Sequence, residues 1–370
     1  MQTTKGSWIM HPGFCIKEEM EERGWSQRDL AFILGCSEQV INPILNGKRG
    51  ISPDMAKTFG EAFDVPAEFF ANLQQAYDLA QARSPDPGVA ARRNMQSAYP
   101  VREMIRRGWV EPSDVSMLEA QLVRFFGTSD IPYMAYAAKK SCYEEREIPP
   151  AQLAWLFRVK QIAKSVSVPQ FSDRKLRSSL IDMEQLLLAP EEARNVPRIL
   201  AEVGVRYVIV EKLPSAKIDG VCFWLDHSSP VIGMSMQYDR IDNFWFVLRH
   251  EIEHVIQGHG QDHEMIDSDL DNPGISISEE ERVANAAAQN FCAPSDKLES
   301  FISRKRPFYY EKDVIAFSRI LNRHPGIVVG QLRHRLNKYD YLTRYLVRIK
   351  QFVLPGAIVD GWGQVIPVSL

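Results

Sequence analysis

Apolar positions follow a helical spacing over the first 200 residues and then change to short alternating and continuous runs, and that change divides the chain. Ile16–Arg23 reads as a short amphipathic helix stopped by Gly24. Ser26-Gln-Arg-Asp29 has the form of a capped start for a second helix, which runs through Leu30, Ala31 and Ile33 to Gly35. Ser37 can cap a third, Glu38–Leu45, closed by Asn46-Gly47 and followed by Lys48-Arg49. Helix, tight glycine-containing turn and helix form the pattern of a helix-turn-helix. The stretch 82–88, Ala-Arg-Ser-Pro-Asp-Pro-Gly, is dense in breakers and reads as a linker. From Tyr99 to Val196 the spacing is helical again. Apolar residues at 115, 118, 122, 125 and 126 share one face, and Ala151–Val166 behaves similarly. No catalytic spacing appears in this stretch, which reads as a helical connector.

At Val205 the pattern shifts. Val205–Val210, Gly220–Leu225 and Pro230–Ser235 are short β-rich runs separated by Pro, Gly, Asp and Ser. Helical periodicity resumes at Asp242 and again at Glu279. A few strands followed by helices predict an α+β domain with its sheet covered on one side. The tail after Asp340 is mixed, with turn signals at Pro355-Gly356 and Gly361-Trp-Gly363. The expected organisation is therefore multidomain. An all-α helix-turn-helix domain occupies 1–80, a linker and helical connector 81–200, and an α+β domain with a C-terminal extension 201–370.

Composition narrows the partners. Of the 370 residues 45 % are hydrophobic and 25 % charged, the balance of a soluble protein with ample core. The net charge of −3 argues against a general polyanion binder. Residues 1–80 carry seven Lys/Arg against eleven Asp/Glu, a net of −4, so selective DNA binding there calls for a dimer reading two half-sites. Five scattered cysteines, Cys15, Cys36, Cys142, Cys222 and Cys292, form no CxxC pair. They point to a reducing compartment and away from a thiolate metal site. The N-terminal residues have no apolar signal core, and no run approaches about 18 apolar residues. A cytoplasmic, non-membrane protein is expected.

The chemistry concentrates in Phe244–His259, FWFVLRHEIEHVIQGH. Apolar residues at 244, 247, 248, 252, 255 and 256 make one face of a helix, with Gly258 as its stop. On that helix His250 and His254 lie one turn apart and project the same way, so their imidazoles can grip one metal ion. Glu251 lies beside them, placed to accept a proton from water. Glu281, on the next helix, is the candidate third ligand, and Asn285, four residues on, can orient a ligand histidine. Zn2+ is the cofactor these donors suit. It would lower the pKa of a bound water from 15.7 to about 7 and polarise a carbonyl. His324 is a candidate oxyanion donor, with capping as its other reading. His259 and His263 follow the helix and read as surface histidines.

These residues resemble two families. Asp239-Arg-Ile-Asp-Asn-Phe-Trp-Phe, His250-Glu-Ile-Glu-His254, Glu281-Arg-Val-Ala-Asn285, Ala293-Pro294 and the His324 stretch occur in the order seen in the ImmA/IrrE zinc peptidases. That resemblance spans about residues 200 to 335. It implies a zincin-like fold, His250, His254 and Glu281 on zinc, and hydrolysis of a protein partner. Glu253 departs from the pattern, which commonly has glycine there. His11-Pro-Gly13, Trp25-Ser-Gln27, Leu30-Ala31, Leu45-Asn-Gly-Lys-Arg49 and Ile51-Ser-Pro-Asp-Met-Ala56 resemble HigA-type antitoxins of the XRE regulators. Gln39 and Asn42 would then face base edges, Lys48 and Arg49 would meet phosphates, and the partners would be a palindromic operator, a second copy of the chain, and a protein substrate or cognate toxin. Pro43 departs from the pattern, in the middle of the recognition helix. Two rivals to the enzyme are a regulator whose zincin-like domain is only a sensor or scaffold, and a toxin-binding module that no longer binds DNA.

Overall fold

The structure, a computed structural model, describes residues 9–127, 148–261, 265–267 and 278–365. The readings of Cys142, His263 and the first eight residues lie outside them. The chain forms two compact units, Met1–Val89 and Ala90–Leu370.

The first unit contains α1 (Pro12–Arg23), α2 (Gln27–Ile33), α3 (Glu38–Leu45), α4 (Pro53–Phe63) and α5 (Ala67–Gln81). Helix α1 starts four residues before Ile16, because Pro12 suits a first helical turn and His11 caps it, its Nδ1 accepting from Gly13 N at 3.0 Å. Helix α2 has the expected capping box. Ser26 N donates to Asp29 Oδ2 at 2.7 Å, and Asp29 N donates to Ser26 Oγ at 3.3 Å. Ile16, Leu30, Ile41, Leu45, Phe59 and Phe70 are fully buried at the centre of this unit. Gly13 sets how closely α1 meets α3, since a Cβ there would fall 2.1 Å from the Ile44 carbonyl oxygen.

The second unit is built on a six-stranded mixed sheet in the order β4-β2-β3-β1-β5-β6. Its strands are β1 (Arg206–Val210), β2 (Gly220–Trp224), β3 (Pro230–Met234), β4 (Met265–Asp267), β5 (Ile358–Gly361) and β6 (Gln364–Val365). Strand β1 runs parallel to β3 and β5, and the other pairings are antiparallel. Both faces of the sheet are covered, which corrects the expectation of a sheet covered on one side. Tyr207, Ile209, Cys222 and Ile232 join one core with α10 (Asp173–Leu186), α11 (Val196–Glu202) and α12 (Ile241–Gln257). Val208, Val210, Val221, Phe223 and Val231 join another with α6 (Gly88–Ala98, through Met95), α7 (Val101–Arg106), α8 (Val115–Phe126) and α9 (Pro150–Ser165). Strands apolar on both sides of the pleat are those buried on both faces.

The helices read from sequence as a connector therefore form one layer of the sheet-bearing unit. Trp155 of α9 is fully buried and donates through Nε1 to the Val210 carbonyl at 2.7 Å. Trp109 Nε1 and Arg158 both bond Asp360 of β5. Helices α13 (Glu279–Cys292), α14 (Ser295–Lys305), α15 (Glu311–Leu321) and α16 (Pro325–Leu336) complete the unit. No helix among the described residues is long and apolar enough to cross a membrane.

Candidate metal centre and nucleic-acid interface

Helix α12 is the central element of the second unit, and nearly every side chain from Ile241 to Ile256 is buried. His250, Glu251 and His254 are fully buried on it. Glu281 reaches them from the first turn of α13, whose start is fixed by Ser278 Oγ accepting from Glu281 N at 3.2 Å. Ala284 and Ala288, both fully buried, are small enough to let a neighbouring helix come close. His250 Nε2 and His254 Nε2 stand 3.0 Å apart. Glu281 Oε2 lies 3.3 Å from His250 Nε2, and Oε1 lies 3.5 Å from His254 Nε2.

Donors bound to one zinc ion at about 2.0–2.1 Å with tetrahedral angles stand about 3.3 Å apart, so these three fit that ion. Two neutral imidazoles and one carboxylate are also the donor types it favours. Glu281 is the more exposed of the three, its side chain 23 % accessible, so the open side of the cluster lies at α13.

Glu251 is held against the first residue of β2. A Cβ on Gly220 would fall 1.9 Å from Glu251 Oε1, so glycine leaves room for the carboxylate in this position and a larger residue would make it shift. Glu253, the departure noted in the sequence, is engaged elsewhere. It accepts from Arg249 Nη2 and Gln257 Nε2, both at 2.7 Å. Burial alone would raise its pKa, but those bonds outweigh burial and hold the carboxyl below its ordinary range.

His324 takes up its other reading from sequence, a helix cap. It caps α16, with Nδ1 accepting from Gly326 N at 3.1 Å and its own N–H donating to Leu187 O at 2.7 Å. Burial lowers its pKa, with Glu191 opposing. The sequence His-Pro-Gly explains this use, because His11 caps α1 in the same way. Asn285 is half-buried one turn after Glu281 and makes no side-chain hydrogen bond among the described residues. The ring that meets His254 on its Nδ1 side is His259, with Nδ1 at 2.9 Å from His254 Nδ1. The sequence signal for it was present, five residues past His254 and just beyond the Gly258 stop. None of the described cysteines forms a disulfide, and burial pushes the Cys292 thiol up to about 12.

In the first unit Gln39, Asn42, Lys48 and Arg49 are all exposed. Pro43 lies inside α3, and the helix continues through it to Leu45. The Pro43 carbonyl accepts from Lys48 N at 2.8 Å and Arg49 N at 3.1 Å, so it fixes the turn that carries the two cations. Asn42 Oδ1 accepts from Asn46 Nδ2 at 2.5 Å, a bond that does not use the Asn42 amide nitrogen.

A helix-turn-helix family model matches residues 16–70, from α1 into α5. The virulence-associated protein A′ of Dichelobacter nodosus is 39 % identical over 72 residues, 19 % of this chain and 63 % of that protein. The chain thus spans less than two thirds of that relative's length. Virulence-associated protein I of the same organism is 38 % identical over 74 residues, 20 % of this chain and 68 % of that protein. The HTH-type transcriptional regulator YddM of Escherichia coli K12 is 30 % identical over 71 residues, 19 % of this chain and 76 % of that protein. Among solved structures, a HigA-family addiction module antidote protein from Coxiella burnetii is 36 % identical, with a TM-score of 0.20, covering 20 % of this chain and 82 % of that one. PA4674 of Pseudomonas aeruginosa, solved with its operator DNA, is also 36 % identical, with a TM-score of 0.19, covering 24 % and 87 %.

Proposed function

We propose, on the premise that this chain belongs through residues 16–70 to the helix-turn-helix family, that it is a DNA-binding regulator of XRE and antitoxin type carrying a zinc-dependent peptidase of ImmA/IrrE type. The observation that carries the enzymatic half is the convergence of His250, His254 and Glu281 within zinc-binding distance of one another, with Glu251 on the same buried helix. Zinc, when bound, supplies a Lewis acid for the scissile carbonyl and a water acidic enough to react near pH 7. His250, His254 and Glu281 hold the ion. Glu251 accepts the proton of the attacking water and delivers it to the leaving amine, so both transfers use one carboxylate. The substrate is a protein partner, and the protein acts as a homodimer on a palindromic operator in the cytoplasm.

The metal half is tested by composition. Full-length protein purified without chelators should carry about one zinc per chain, and His254→Ala should carry none. Metal-free wild type would remove the metal reading.

The DNA half is tested by salt dependence. Changing both Lys48 and Arg49 to Ala should weaken cognate and random duplexes by the same factor. The homodimer loses four phosphate contacts, two from each chain, so the slope of log K against log salt should also fall in magnitude by about 3.6, some 0.9 for each contact. A selective loss at the cognate site would mean that the two cations read bases.

A second reading, a regulator whose zincin-like unit is a sensor or scaffold, is favoured by His324, whose Nδ1 is engaged as a helix cap.

A further inference from the structure

Resting on the reading of the His250–His254–Glu281 cluster as a metal centre, we infer that His259 is the positioning residue that fixes the ring and tautomer of the ligand His254. Three features of the fold place it there. Gly258 ends α12 in the left-handed conformation, with φ at 73°, and turns the chain back on the helix. His259 N then donates to the His254 carbonyl at 2.9 Å, so the two residues are joined by backbone as well as by rings. Strand β2 holds the turn from the other side, with Trp224 Nε1 donating to His259 O at 2.9 Å. The chain passes so close to the strand at Gly260 that a Cβ there would fall 2.7 Å from the Cys222 carbonyl oxygen.

The proton arrangement follows from the ligand chemistry. His254 faces His250 and Glu281 through Nε2 and faces His259 through Nδ1. An imidazole that gives its Nε2 lone pair to a metal carries its proton on Nδ1. His254 Nδ1–H is therefore the donor of the 2.9 Å contact, and His259 Nδ1 is the acceptor. His259 accordingly carries its own proton on Nε2, on a half-exposed ring that can direct it to water. A partner of this kind orients the ligand ring and raises its basicity, and losing one typically weakens metal binding about 10–100-fold. Asn285 held this role in the reading from sequence, but it makes no side-chain hydrogen bond among the described residues.

The test is a zinc titration of the full-length, metal-stripped chain against a competing chromophoric chelator, with the unfolding midpoint of each metal-free variant as a control. His259→Phe keeps the ring and removes the acceptor, and it should bind zinc about 10–100-fold more weakly than wild type. His259→Asn puts Oδ1 where Nδ1 stood, and it should return to within a few-fold of wild type. Should His259→Phe fail to fold, His259→Ala takes its place beside His259→Asn. Equal affinity in wild type and the acceptor-free variant overturns the inference. So does an Asn variant as weak as Phe at an unchanged metal-free midpoint, because the acceptor is then not what matters. Wild type that binds no zinc overturns the metal centre itself and His259's role with it, an outcome distinct from the other two.

Discussion

Glu251→Gln should lose cleavage of the partner protein by about 10²–10⁴-fold while keeping zinc and fold. Glutamine matches glutamate in shape, so the seat against Gly220 is preserved. The ligands His250, His254 and Glu281 are untouched, and zinc content should equal that of wild type. What disappears is the proton acceptor beside the attacking water. In a neutral side chain the amide oxygen still accepts a hydrogen bond but cannot take the proton away. The measurement is cleavage of a candidate partner by full-length protein, with zinc content determined on the same samples. A sensor or scaffold would give wild-type output from Glu251→Gln, with zinc present in both, and the peptidase reading would fall.

The same substitution separates Glu251 from Glu253. Two residues away along the helix, Glu253 is tied to Arg249 and Gln257 and held in its charged form. Its charge is largely balanced where it stands, so it adds little repulsion to a reacting carboxylate. The departure from the family pattern at this position is therefore absorbed by a local ion pair.

What the sequence revealed follows the range of the interactions involved. Helix α12 and its two histidines were legible because a 3.6-residue period and an i, i+4 pair are local properties of one helix. The helix-turn-helix was legible for the same reason, since Ser26, Asp29 and Gly35 act within a few residues of themselves, whereas Ser37 holds the N-cap position of α3 without a side-chain capping bond. Glu281 was legible from its place on the helix that follows the histidines and from motif order, and the 3.3 and 3.5 Å distances to the histidines supplied its geometry. Strand β5 escaped because four residues between turn signals carry little periodicity, and its parallel pairing with β1 joins residues some 150 apart. The second face of the sheet escaped as well. The continuous apolar run of β1 signals burial on both sides, but nothing local says that Trp155 and its neighbours supply the cover. His324 was open between two uses, and the identical His-Pro-Gly at residues 11–13 was the clue favouring a cap.

Trp155→Ala should show that the helical stretch before the sheet belongs to the metal-bearing unit. The side chain is fully buried between α9 and the sheet, and truncating a buried Trp typically costs about 3–5 kcal/mol. The Val210 carbonyl also loses its indole donor, which adds the cost of a buried acceptor left without that partner. For a unit of this size, about 2–4 °C per kcal/mol converts this to a fall in the unfolding midpoint of roughly 6–20 °C. Val210 ends β1, the strand that pairs with both β3 and β5, so damage at that point loosens the sheet on which α12 rests. Zinc should then leave the variant at lower temperature than wild type, in the same transition that unfolds the sheet. Were residues 81–200 only a connector, Trp155→Ala would leave both zinc retention and the main unfolding transition where they were. Calorimetry with a zinc-release indicator in the same scan reads both quantities at once. Two separated transitions, with zinc released only in the unshifted one, would return these helices to the role of a linker.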